Sequence, residues 1–321
     1  MADDRLFYQE FTSEIRRKIP HRAMLANTIT DLLGIDKDAV YRRLRGEVSF
    51  SFAEMAIIAR STGISLDIIA GIESAQSKPA KMNISRQVDP TEVDYEMFEG
   101  HVNLLKSIDN DPATQIMGAG NMFPHYLYLD YEHFTRYYLF LWNQTSGYGD
   151  ARPFHEITIP ERLRTLQKET CTYAKRVSST LFVFDPLIFQ RLVTNIQYFA
   201  KVRLINEADV ALIKNDLICF LENVENLAVK GKYEETGNEI SIYISDVDCD
   251  TNYSCLKSKN IQLTLFWAFI LNANVTFDSD VFNEACAWIR SLQRMSTLIS
   301  VSGEKVRATF FDMQRNIINT L

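Results

Sequence analysis

Lys37, Asp38, Tyr41, Arg42, Arg43 and Arg45 lie close together in the run KDAVYRRLR. Wound as a helix, this run places Lys37, Asp38, Tyr41, Arg42 and Arg45 on one outward set, with Arg43 at its boundary and Val40 and Leu44 as a narrow inward stripe. Such cations neutralise phosphates, and guanidinium forks or a phenolic hydroxyl can meet base edges in the major groove of duplex DNA. The same residue types also make an ordinary solvated helix face, and small helical units also serve as protein-docking modules. Both readings stay open on these residues alone.

No other constellation reaches the standard of a reactive site. Asp246, Asp248, Asp250 and Asn252 alternate as in a calcium loop, but Thr251 replaces the glycine of the sharp turn and Lys257 stands where the bidentate glutamate belongs. His155-Glu156 lacks a second histidine four residues on, and His125 and His133 have no cysteine or carboxylate at metal-ligand spacing. Gly118-Ala119-Gly120 is a bare GxG with no strand expected before it, and neither a phosphate-binding GxxxxGK[ST] loop nor a GxSxG nucleophile turn occurs. Cys249 and Cys255 lack electropositive sequence neighbours that would lower a thiol pKa. The expectation is a protein that is not an enzyme and has no cofactor and no metal.

The elements around the basic run have clear punctuation. Leu25, Ile29, Leu32 and Leu33 form one apolar helix face, and Gly34 follows where a positive φ would end the helix. Asp36 offers a carboxylate to cap the next helix, which Gly46 stops. Ser51 and Glu54 have the spacing of a capping box, and Phe50 and Met55 that of a hydrophobic staple. The helix that starts there carries Met55, Ile58 and Ala59 to Gly63, and Ser65 caps a short last helix with Leu66, Ile68 and Ile69. Before all of these, Phe7, Phe11, Ile15 and Ile19 give a leading helix over 5–19 that ends at Pro20.

The order of apolar helix, Gly-Ile, capped polar helix, Arg-Gly, then a helix with IARSTGIS resembles the lambda-repressor-like (XRE) helix-turn-helix regulators of bacteria. The run AVYRRLRGE is closer to their BetR-type variant. The resemblance covers roughly the first fifth of the chain. It implies double-stranded DNA as ligand, with Asp36 to Arg45 as the recognition helix. Thr30 and Arg43 depart from the small apolar and the aromatic or aliphatic residues usual at those places.

The 321 residues are 46% hydrophobic and 23% charged, ordinary for a globular protein with room for a sizeable core. The net charge of −7 argues against a general nucleic-acid coat. Residues 1–72 hold ten basic and ten acidic side chains, so the deficit lies in the remainder. Arg16, Arg17, Lys18 and Arg22 add to the basic run as a local positive surface. Five irregularly spaced cysteines fit a reducing cytoplasm, and neither a signal peptide nor an apolar run long enough for a membrane span is expected.

The fold expectation is multidomain: an all-α helix-turn-helix domain at 1–72, a polar linker at 73–88, and a mostly helical α+β domain at 89–321 for dimerisation and sensing. In that second part, Asp89 and Pro90 open a long helix to Ile108, and Phe123 to Trp142 holds nine aromatic residues suited to a pocket, an interface or plain core. Strands are expected at Thr180–Phe184, Ile240–Ile244, Tyr253–Leu256, Ile261–Leu271 and Thr297–Val301, with helices between and after them. The partners so implied are duplex DNA, a second copy of the chain in a homodimer, and a small-molecule or protein effector, with no membrane. The alternative is a protein-docking helical module on a non-catalytic scaffold.

Overall fold

The computed structural model describes residues 2–19, 22–70, 81–147 and 149–321, which divide into two compact units, Met1–Pro79 and Ala80–Leu321. In unit 1, the helices are α1 (Ala2–Lys18), α2 (Arg22–Leu33), α3 (Lys37–Leu44), α4 (Phe52–Thr62) and α5 (Leu66–Ile69). Each start that the sequence marks is chemically satisfied. The Asp36 carboxylate accepts the Ala39 N–H at 2.7 Å, Ser51 and Glu54 exchange a reciprocal capping box, and the Ser65 hydroxyl accepts from Ile68. Phe11, Ile15, Leu25, Ile29, Val40, Leu44, Phe50 and Ile58 form the buried core.

Unit 2 is built on a mixed sheet, with more residues in helices than in strands. Among the described residues the strands are β1 (Lys81–Asn83), β2 (Gln115–Gly120), β3 (Ser179–Phe184), β4 (Glu239–Ser245), β5 (Tyr253–Lys257), β6 (Gln262–Ala268), β7 (Asn272–Thr276) and β8 (Ser296–Leu298). They lie in the order β1-β7-β6-β5-β2-β3-β4-β8, with β2, β3 and β4 parallel and the remaining pairs antiparallel. The helices are α6 (Glu92–Ser107), α7 (His125–Tyr128), α8 (Glu132–Thr145), α9 (Glu161–Ala174), α10 (Ile188–Lys201), α11 (Glu207–Lys230), α12 (Ser279–Arg294) and α13 (Glu304–Ile318). Alternation along β3 divides the cores. Phe182 and Phe184 join the large cluster with α8, α10, α11 and α13, whereas Val183 packs with Phe282, Ala285 and Ile289 of α12.

Four expectations need correction. The stretch taken as a linker to residue 88 lies partly outside the described residues, but its end is structured: Lys81–Asn83 pairs with β7, and the Ser85 N–H and hydroxyl both donate to Asn272 Oδ1. An edge strand held by backbone bonds needs no apolar period, so polarity concealed it. Gly118-Ala119-Gly120 is the end of β2, not a loop, and β2 pairs on both sides. The run 261–271 is not one strand but β6 and the turn that leads into β7, and that turn uses positive φ at Phe269 and Ile270 with no glycine or asparagine there to announce it. Finally, Thr91 with Asp94, not Asp89, caps α6.

The apolar side of α6 is covered within its own unit: Tyr95 and Val102 pack on Leu163 and Leu166 of α9, and Arg162 reaches Glu92 and Glu99. The aromatic stretch is largely core, because Phe134, Tyr137, Phe140 and Trp142 are buried. Among the described residues, no helix is long and apolar enough to cross a membrane.

Candidate nucleic-acid interface

Helix α3 has only eight residues, too few to hold its shape alone. Its neighbours fix it at both ends. At the amino end Asp36 caps, and Gly34 (φ 66) makes the turn from α2. At the carboxyl end, α1 reaches across. Arg16 Nη2 donates to the Leu44 carbonyl at 2.6 Å, placing a cation where the last carbonyls carry negative charge. The Tyr8 hydroxyl donates to the Arg43 carbonyl at 2.8 Å and accepts the Phe50 N–H at 3.1 Å, bridging the end of α3 to the approach to α4. Burial pushes the Tyr8 hydroxyl above its usual pKa, so it remains a donor.

Val40 and Leu44 point inward, and Lys37, Asp38, Arg42 and Arg45 are exposed, with Tyr41 half-buried beside them. The expected outward set therefore shares one face, except for Arg43. Its guanidinium turns toward α4, 3.1 Å from Glu54 and over the Phe50 ring, and its side chain is 19% exposed. Burial works to raise the Glu54 carboxyl, but the Ser51 N–H and Arg43 outweigh it and hold it below its usual pKa. Arg43 of the expected DNA-contact set is thus engaged at the α3–α4 joint, apart from the outward face. Arg16 is likewise a brace, and Arg17 lies against Glu14 at 2.8 Å.

Glu47 is a functional neighbour that the sequence pattern did not single out. Its carboxylate accepts from Arg45 Nε at 2.6 Å and sits 3.7 Å from Arg42. The hydrogen bond from Arg45 holds it below the usual carboxylate pKa, so it is ionised at neutral pH. Both partners are about half exposed, and ion pairs so open to water are weak and easily exchanged for phosphate. The face thus offers Lys37, Arg42 and Arg45 against Asp36, Asp38 and Glu47, with no net formal charge. What it can do is present forked donors in fixed places.

No curated protein and no solved structure matches this chain significantly. The model of the BetR domain, a helix-turn-helix family, matches residues 7–101, from the first turns of α1 through α3 and into α6. That match suggests a helix-turn-helix domain of a DNA-binding regulatory type in the first part of this chain.

Proposed function

We propose that the chain is a transcriptional regulator that binds double-stranded DNA sequence-specifically through α3. The observation that carries this reading is the outward face of a capped and braced α3, Lys37, Tyr41, Arg42 and Arg45, inside the BetR-matching segment. The lambda-repressor-like docking mode supplies the geometry, with α3 in the major groove. Because the face carries no net charge, its affinity comes from placed contacts more than from bulk attraction, which favours discrimination among sequences. Asp36 and Asp38 oppose a phosphate at the amino end of α3, so phosphate contact falls to Arg42 and Arg45. One short reading helix gives little affinity, so a homodimer on two half-sites is part of the proposal, with unit 2 pairing and sensing in a bacterial cytoplasm.

The test is selection from a random duplex pool at several salt concentrations, with Arg42→Ala/Arg45→Ala alongside. An enriched motif, affinity falling with salt, and at least about a 30-fold loss in the double variant are expected, since each lost bidentate base contact is worth about 1–3 kcal/mol. Wild-type protein that enriches nothing at low salt would end this reading.

A further inference from the structure

Unit 2 contains a cavity of about 520 Å³ bounded by α6, α7 and α9 and by β2, β5, β6 and β7. This falls within the range of about 300–1,000 Å³ usual for small-molecule sites. Among the described residues no Asp, Glu, Lys or Arg lines it, and Phe98, Phe182 and Trp267 give it aromatic walls. Several polar side chains interrupt the apolar lining; Gln87, Thr135, Thr170, Asn252 and Asn272 are held by hydrogen bonds within the protein, whereas His101, His125 and Gln167 make none among the described residues. His101 is exposed and His125 half-buried, and both line the cavity. Burial depresses the His125 imidazole to about 3, so it is neutral at physiological pH. Gln167 is 9% exposed, lines the same space, and its amide makes no hydrogen bond among the described residues.

Apolar walls left facing water forfeit the free energy of their burial. A charged ligand would lose its hydration and gain no counter-charge. We propose that this cavity binds an uncharged, mostly apolar small molecule whose one polar group is met by His101, His125 and Gln167. Its occupancy does not depend on unit 1; only its role as an effector site rests on the regulator reading.

Gly100 supplies the test, because it lines the cavity from α6 and a Cβ built there meets no atom within 4 Å. The full chain is titrated, without DNA, with the neutral dye N-phenyl-1-naphthylamine and with its anionic relative 1-anilinonaphthalene-8-sulfonate. The neutral dye should saturate near one per chain, and the anion should bind at least tenfold more weakly. Gly100→Phe, which also replaces a helix-interior glycine, should weaken the neutral dye at least tenfold while keeping a cooperative thermal transition. Leu104→Trp fills the same space from the next turn of wall and repeats the measurement independently. Unsaturable dye, equal binding of the anion, or filled variants that bind like wild type would each overturn the proposal. Since no DNA is present, failure here leaves the α3 reading intact, and failure of the duplex selection leaves the cavity intact.

Discussion

The α3 face and the cavity of unit 2 are opposites in chemistry and in construction. The first gathers charged groups from a few consecutive residues and holds them out to water. The second excludes charge altogether and draws its wall from positions between Ser85 and Phe277. Their glycines show the same contrast. Gly34 has nothing within 4 Å of a would-be Cβ, and it is needed for its φ of 66° alone. At Gly120, whose φ is 157°, a Cβ would also sit 2.1 Å from Asn252 Oδ1 and 2.9 Å from Asn252 Cα, so a residue far along the chain adds to the backbone's reason for glycine. Local backbone demands shape the first region, and distant side chains shape the second.

Substituting both glycines is the strongest way to break that contrast. Asn252 Oδ1 accepts the Met122 N–H at 2.8 Å and its amide donates to Asn121 at 2.8 Å, so Gly120→Ala must displace backbone and break bonds together. The cost should be about 2–4 kcal/mol from overpacking and lost hydrogen bonds. Gly34→Ala should cost about 1 kcal/mol, the penalty of a left-handed conformation with a side chain. Denaturant midpoints of the two variants decide the matter, and equal losses would erase the distinction.

The same contrast governs what the sequence reveals. In unit 1 the starts of α3, α4 and α5 are signalled within three or four residues of themselves, by Asp36, by Ser51 with Glu54, and by Ser65, so these helices and the outward face of α3 can be read directly. The orientation of Arg43 could not be read that way, because its partner Glu54 belongs to the next helix and already had a complete role in the capping box. In unit 2, β2 carries two glycines and is a strand by virtue of β3 and β5, both remote in sequence. The β6–β7 turn at Phe269 and Ile270 lacks turn residues and was invisible for that reason. The cavity followed no pattern at all. His101, His125 and Gln167 are isolated letters until the fold brings α6, α7 and α9 together.

Within α3, Arg43→Ala separates structural from DNA-directed arginines. It strips Glu54 of its cation while Ser51 still bonds it, and should cost about 1 kcal/mol of unit 1 stability at neutral pH. Because the Glu54 carboxyl is depressed in the folded state, its contribution is complete above the ordinary carboxylate range and is lost as pH falls through the folded value. The gap between wild type and variant should therefore close in acid. Duplex affinity at neutral pH, measured below the thermal transition, should fall far less than in Arg42→Ala/Arg45→Ala. An equal loss of affinity would return Arg43 to the contact set.

Glu47→Gln is the gentlest change and the one that probes how the reading face is restrained. Glu47 occupies Arg45 and neighbours Arg42, so each arginine must leave it to meet a phosphate or a base, and its own negative charge then faces the DNA. Neutralising it should raise duplex affinity about threefold at low salt, with the gain shrinking as salt screens the charge. The gain should be similar for cognate and random sequences, because a repelled phosphate is present in every duplex, so the specificity ratio should fall little. Since the hydrogen bond from Arg45 holds the Glu47 carboxyl below the usual carboxylate pKa, mild acid should not reproduce the substitution. Anisotropy titrations of both proteins against a selected and a random duplex read all of this. Unchanged affinity at low salt would mean that Glu47 stands clear of the DNA, and a lower affinity would mean that it aims Arg42 and Arg45 rather than restraining them.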